Sequence, residues 1–529
     1  MERIKIGLII ESYIIDFWKV LILEEIQKSS RVEISHVIVV DELTEIPKTF
    51  TLKNLYIKSD YKIFKENIDC LKQVDITDRL KDIKTLAIRA ENREIKLSEE
   101  EINNVRIERS ILCLNLTNTI FDSNQLTKLY SQGVWQYASI DERGGILNNE
   151  HSINEFYRNS SINGLALVQI NTTITKILSK GFSKTNPISL YKSKNKLLLR
   201  SSKLVCDNLN LLFLIGEESF EKHIQNQNLL FYNYEGFNKK VNGFLLFVKA
   251  SFRIANYIYK SKFRREKWKL IYSFGEENKL SKFSVYSPPK GNECADPFVL
   301  RDASEGYVFF ESINIKKLGS IHCISIKDLK ANKNSTPVLE RNYHLSYPCI
   351  FKYEDYYYMI PETKQNNSIE LFRCIEFPYK WEKEHTVIDN IEAVDTTILY
   401  YNNKWWIFTN IARVKGASAS EELHVLWSNS PLSKNWTPLI SNPQVSDIRY
   451  SRNGGRIIRR DNKLYRVSQD CAVKYGYSVA FHEITELTET SYKEKLVNKI
   501  LPGWEKNVEG IHTVANDEDF WVMDIRMKE

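Results

Sequence analysis

Several quick routes to an assignment are missing from this chain. None of its 529 residues fall in an apolar run of eighteen or more, which argues against a spanning helix. The eight cysteines (Cys70, Cys113, Cys206, Cys294, Cys323, Cys349, Cys374 and Cys471) show no C-x-x-C or metal-ligand spacing. Buried reduced thiols are therefore expected. The nine histidines form no H-x-x-x-H or H-x-E pattern, so neither a catalytic metal nor another cofactor is expected. No G-x-G-x-x-G follows the first strand-like run, which removes the dinucleotide fingerprint. The charge is only mildly unbalanced, +7 from 74 basic and 67 acidic residues, and does not argue for nucleic acid. The opening Met1-Glu2-Arg3 leads straight into a strand pattern without a signal-peptide core, so a cytoplasmic protein is expected.

What is present is a loose repeat. Five segments of the C-terminal half open on a short polar motif and run into an aromatic, alternating strand pattern. Counting from Asp296 through Tyr347, Asp395, Asn453 and His512, the steps are 51, 48, 58 and 59 residues. A period of this size with a few short strands per unit predicts a five-bladed β-propeller. Second strands are predicted over 307–311, 356–360, 405–409, 464–467 and 520–523. Polar pairs such as Asn402-Asn403 and Asp461-Asn462 supply hairpin turns before them. The segment near 268–285 is expected to add an outer strand to the last blade.

Upstream, residues 3–10, 32–40 and 110–116 read as buried parallel strands, with a helix from Ile14 to Ile26 between the first two. Val241 to Lys262 reads as a helix with an apolar face, followed by a basic stretch to Lys269. That stretch is either an interdomain helix or an amphipathic helix in peripheral contact with the inner membrane through 241–269. The expected organisation is an α/β domain over 1–205, a basic helical linker over 206–275, and the propeller over 276–529.

A propeller gathers the first strand of every blade around one axis, so side chains distant in sequence meet at its mouth. Asp296, Asp395 and Glu362 are candidate catalytic acids on this ground, because glycosyl chemistry needs one carboxylate near developing positive charge and another as acid or base. The same residues could instead cap turns or pair with Arg373, Arg452 or Arg456. His344, Tyr347, Arg452, Asn453, Gln469, Asp470 and His512 are candidates for binding sugar hydroxyls. Tyr347, Trp405, Trp406 and Tyr475 are candidate aromatic platforms.

Three resemblances follow from these residues. The region from about 281 to 529 resembles the propeller domain at the N-terminus of plant glucosamine inositolphosphorylceramide transferases and of bacterial surface-glycan proteins. The residues that carry it are Asp296-Pro297-Phe298, His344 to Pro348, Met359 to Thr363, Phe377-Pro378 with Trp381, Asp395-Thr396 and Trp405-Trp406. More distantly, Asp296-Pro297 and Asp395 are similar to motifs of arabinanase-like glycoside hydrolases. Where that group implies a general-acid Glu at the fourth blade, this chain reads Arg452-Asn453-Gly454-Gly455. Residues 1–205 resemble formyltransferases through the first strand, Gly133-Val134-Trp135, Asp141 to Gly145 and Asn163-Gly164-Leu165. The resemblance implies an Asn-x-His pair and a later Asp. The chain has Gln136-Tyr137-Ala138-Ser139 and Thr172 to Lys176 there, so a domain inactive in formyl transfer is expected.

Together these imply a carbohydrate-active, glycosyltransferase-like protein of surface polysaccharide or glycolipid synthesis. Its partners would be a sugar donor and a glycan or lipid-linked acceptor. A glycosidase or phosphorylase, and a non-catalytic glycan-binding scaffold, are the alternatives.

Overall fold

The computed structural model describes residues 2–42, 51–91, 94–95, 97–117, 124–146, 151–171, 175–226, 241–263, 266–275, 283–289, 291–302, 305–314 and 318–528. The chain divides into two compact units: Met1–Tyr257 with Val414–Ala417, and Ile258–Arg413 with Ser418–Glu529.

The first unit is built on an eight-stranded sheet. Its order from one edge is Thr175–Lys184, Ile162–Ile170, Val134–Ile140, Leu112–Asn115, Ile4–Ile10, Val32–Glu42, Lys84–Glu91 and Glu94–Ile95. The strands from Val134–Ile140 to Lys84–Glu91 run parallel, and those beyond them at either edge are antiparallel. Central strands covered on both faces need unbroken apolar runs, and Leu112–Asn115 is buried throughout. The expected helix starts three residues late, at Phe17–Lys28, because Ile14–Asp16 pairs with Gln73–Asp75 instead. The 206–275 stretch is not one linker. Leu209, Leu212 and Phe220 of the helix Lys203–Asn226 lie in the core of the first unit, whereas Glu266–Phe274 is a propeller strand.

The second unit is a five-bladed propeller of four-stranded antiparallel sheets. The inner and second strands of blades 1 to 5 are Glu293–Asp302 and Glu305–Ile313, Ser346–Tyr353 and Tyr356–Glu362, Ala393–Tyr401 and Lys404–Ile411, Ile458–Arg460 and Lys463–Asp470, and Val508–Asp517 and Phe520–Lys528. The expected outer strand exists. Glu266–Phe274 runs antiparallel to Phe520–Lys528, and Ser284–Tyr286 lies outside it. Blade 5 thus combines strands from both ends of the unit and closes the ring.

Apolar clusters fill the seams between neighbouring blades. Phe309 and Trp381 join blades 1 and 2, Trp406 and Leu464 join 3 and 4, and Phe520 and Val308 join 5 and 1. Hairpin turns follow the sequence reading: both residues of Asn402-Asn403 and of Asp461-Asn462 have positive φ, as type I′ turns require.

The feature that shapes the axis is a bulge repeated in the inner strands. Pairing skips Asp296-Pro297, Tyr347-Pro348, Asp395-Thr396 and His512-Thr513, each pair facing a single residue of the second strand. Asp296, Tyr347 and Asp395 have φ of 51°, 47° and 49°, left-handed values that cost non-glycine residues on the order of 1–3 kcal/mol each. Such bulges re-aim side chains. In blade 4 the corresponding backbone is Asn453-Gly454-Gly455. Gly455 has φ of 135°, and a Cβ there would lie 2.0 Å from the Val514 carbonyl oxygen. Tyr347, fully buried, ties this point to its neighbours. Its hydroxyl accepts from Gly455 N–H and donates to the Gly455 carbonyl, both at 2.9 Å, and stands 2.8 Å from Thr397 Oγ1.

Gly455→Ala combines backbone strain with a backbone clash. It is expected to lower stability by at least about 2 kcal/mol, read as a lower transition midpoint in denaturant unfolding of the propeller.

Candidate functional site

The inner-strand bulges deliver polar side chains to one end of the axis, and the second strands meet them there. In blades 1 to 4 the residue facing the position before the bulge is polar: Glu311 opposite Ala295, Glu362 opposite Ser346, Asn410 opposite Val394, and Gln469, whose N–H donates to the Arg452 carbonyl. In blade 5 that position is Ile525, and the acid comes one residue earlier, at Asp524. Sequence reasoning identified Glu362 and Gln469 but missed Glu311, Asn410 and Asp524. The signal existed: Glu311, Glu362, Asn410 and Gln469 repeat at steps of 51, 48 and 59 residues, echoing the period of the inner strands. Glu311 and Glu362 each end an apolar run.

Asp395, almost fully buried, is held on three sides. Arg452 donates from Nε to Oδ2 (2.6 Å) and from Nη2 to Oδ1 (3.1 Å), and Gln469 Nε2 donates to Oδ2 (3.0 Å). Asn453 Nδ2 donates to the Asp395 carbonyl (2.9 Å) and to that of Phe408 (3.0 Å). Glu362 lies 3.6 Å from Arg452 Nη2. Burial, then the charge of Asp395, push the Glu362 carboxyl well above its usual range despite Arg452. Glu362 and Asp395 thus share the Arg452 guanidinium. For Asp395 and Glu362, the alternative of a pairing with Arg452 is therefore realised at the same place as their convergence.

Asp296 sits on the neighbouring side. Its Oδ1 accepts from Thr513 Oγ1 (2.7 Å) and lies 3.6 Å from His512 Nε2. Its N–H donates to Asp524 Oδ2 (2.8 Å). Asp524 also accepts the N–H groups of His512 and Thr513, at 3.0 and 2.8 Å, and pairs with His512 Nδ1 at 2.5 Å. Burial pushes Asp296 up to about 7. His512 pulls it back, while Glu311, Asp395 and Asp524 add to the rise. Burial opposes the His512 imidazolium, but Asp524 and Asp296 outweigh it, so the ring titrates above its ordinary value. The ring is clamped by Trp268, stacked at 4.0 Å between centroids, and by the edge of Tyr475 at 5.3 Å. Asp296, His512 and Asp524 offer ligand atoms within 4.8 Å of one another, a set able to hold a small cation. No sequence motif could announce it, since its members come from blades 1 and 5.

The remaining sequence candidates separate. Tyr475 is 41% exposed, with the Arg452 guanidinium 5.0 Å from its ring centroid. Tyr347, Trp405 and Trp406 are buried in packing, so they are not platforms. Tyr347 is a tie between blades rather than a ligand contact. His344 pairs with Glu311 through Nε2 (2.8 Å) and accepts from Gly319 N–H at Nδ1 (3.0 Å). Asp470 faces away from the cluster, bonded to Lys499 Nζ (2.6 Å), because neighbours on a strand point to opposite faces. Arg373 pairs with Glu384 instead of a site acid. Surface cavities of about 360 and 440 Å³ lie elsewhere and none of the three acids lines them.

In the α/β unit, Gln136 accepts from Asn115 Nδ2 (3.1 Å). The expectation that no histidine serves this place is corrected: His151 Nδ1 lies 2.6 Å from Ser139 Oγ. Burial lowers its pKa to about 3, so the ring is neutral. Thr172 to Ile174 lie outside the described residues.

The second unit is thus a five-bladed propeller with a clustered acidic and cationic mouth. Residues 283–516 match the family model described as glucosamine inositolphosphorylceramide transferase 1, N-terminal. A protein of that name from Oryza sativa subsp. indica is 34% identical over 211 residues, covering 39% of this chain and 28% of its own length. The Arabidopsis thaliana protein of that name is 32% identical over 207 residues, covering 38% and 27%. The chain therefore spans little more than a quarter of these relatives. Among solved structures, an exo-1,5-alpha-L-arabinanase from a bovine ruminal metagenomic library aligns at 16% identity and a TM-score of 0.31, over 45% of this chain and 88% of its own.

The Asp296 shift makes stability depend on pH. Between about 4 and 7 the folded state keeps a proton that the unfolded chain has released. Stability from this group is full below about 4 and is lost as pH rises through about 7, at up to about 1.4 kcal/mol per pH unit. Denaturant midpoints measured from pH 5 to 8 are expected to fall more steeply for the wild type than for Asp296→Asn.

Proposed function

We propose that the propeller mouth is the saccharide site of a glycosyltransferase-like enzyme in surface-glycan or glycolipid synthesis. One observation carries this reading: Glu362 and Asp395 from two blades gather beside Arg452, near enough to Asp296 of a third for the charge of Asp395 to help raise its titration to about 7. A carboxyl with a pKa close to ambient is suited to general acid–base work. In this reading Asp296 takes the proton of the acceptor hydroxyl, and His512 with Asp524 fixes its orientation. Asp395, paired with Arg452, favours positive charge developing on the donor sugar. Tyr475 gives the sugar an apolar face. The names of the plant relatives agree with a sugar donor and a glycolipid acceptor.

The fourth-blade entrance favours transfer over hydrolysis. Asn453 spends its amide on two backbone carbonyls, and Arg452 occupies the neighbouring position, so no carboxyl from this blade protonates a leaving alkoxide. A phosphate leaving group needs no such acid, being a weak base already. Donors activated by phosphate therefore suit this mouth better than simple glycosides.

A glycan-binding scaffold is the second reading, favoured by the charge balance that Arg452 gives to Asp395 and Glu362. The α/β unit we read as a scaffold or a repurposed site without formyl transfer.

Cells lacking their own copy and supplied with Asp296→Asn are expected to lose glycan synthesis, with a rate deficit of about 10²–10⁴, while sugar binding seen by saturation-transfer NMR persists. Full synthesis by Asp296→Asn would end the catalytic reading. Release of aglycone from aryl furanosides or pyranosides would instead establish a hydrolase.

A further inference from the structure

The helix Gly243–Phe263, whose residues up to Tyr257 belong to the first unit, carries an exposed amphipathic surface that the propeller chemistry does not use. The helix Gly243–Phe263 buries Leu246 and Ala250 in a cluster with Tyr56, Ile153, Phe156 and Leu190. Arg253 clamps this face, with its guanidinium 4.0 Å from the Phe156 ring centroid and Nη1 donating to the Phe156 carbonyl at 2.6 Å. The opposite face is apolar and open: Phe244 is 63% exposed, Val248 49% and Phe252 74%. At about 100° per residue, these three and Leu245 fall within roughly a third of the circumference, away from Leu246 and Ala250. Gly243 packs against the first turn of the helix Leu52–Phe64, where Leu52 and Leu55 are also exposed.

Charge runs along the edge of this stripe. Lys249, Arg253 and Lys260 follow one another on one flank at helical spacing. From Val241 to Arg265 the sequence has six cations and no acid. No described helix is long and apolar enough to cross a membrane. An open aromatic and aliphatic stripe bordered by cations on a helix too polar to span is the arrangement of an interfacial helix. A second copy of the chain fits the face poorly, because a two-fold contact sets the same patch against itself and brings cation onto cation.

We propose that the helix Gly243–Phe263 docks the protein onto an anionic lipid bilayer, with Phe244, Val248 and Phe252 entering the headgroup boundary and Lys260 and Lys262 facing lipid phosphates. The proposal does not depend on the chemistry of the propeller mouth.

Co-sedimentation of the full chain with liposomes tests it. Vesicles containing phosphatidylglycerol are expected to bind it at least about tenfold better than pure phosphatidylcholine, and high salt to weaken the binding. Phe252→Glu, and separately Lys260→Glu with Lys262→Glu, are expected to cut binding about tenfold or more while leaving the thermal transition in place. Asp296→Asn should bind as wild type, which separates this result from the glycan reading. Equal binding to both vesicle types, binding indifferent to both variants, or a stable dimer that Phe252→Glu dissociates would each overturn the proposal.

Discussion

The propeller depends on what happens when an inner strand bulges at the axis. A bulge releases backbone N–H groups from the ladder, and a buried N–H must find an acceptor. At the fifth blade the acceptor is Asp524, which takes the N–H groups of His512, Thr513 and Asp296. At the fourth it is Asn410, which takes that of Asn453 (3.0 Å). The polar residues of the second strands are thus required by the backbone before they are available for chemistry. The same construction draws the blades together, since several of these bonds run from one blade to the next.

The price of this construction is a group of carboxyls out of water. Asp296, Glu311, Glu362, Asp395 and Asp524 are too many for all to ionise in one dehydrated place. Arg452 and His512 offset part of the charge, and protons on Glu362 and Asp296 offset more. Structural and chemical roles are therefore fused here. The acids that keep titratable protons are those left over after the backbone and the cations have been served.

Much of the fold was legible because propeller strands advertise themselves twice, by period and by turn chemistry. Polar pairs such as Asp461-Asn462 marked hairpins, and the axial motif marked four of the bulged strands directly. Asp524 was hidden because a lone acid in an apolar strand carries no local motif, and its partners, apart from those in its own blade, are far away in sequence. Asp470 was misread for a simpler reason: one residue decides which face of a strand a side chain takes, and the pattern around Gln469-Asp470 suited either. Tyr347 occupied the position of a ligand contact, yet its ring is needed to satisfy Gly455. His151 escaped notice because its proximity to Ser139 comes from the turn of the chain between them, not from motif spacing.

Ring closure through Glu266–Phe274 also sets an order of assembly. That strand is made first among the propeller strands; it can pair early with Ser284–Tyr286, but with its inner neighbour only when Phe520–Lys528 has been synthesised. Until then its inner edge is bare. During translation the α/β unit can fold early as a domain, while the propeller stays a ribbon awaiting its clasp, exposed to adhesive partners for as long as the ribosome takes to reach the final strand.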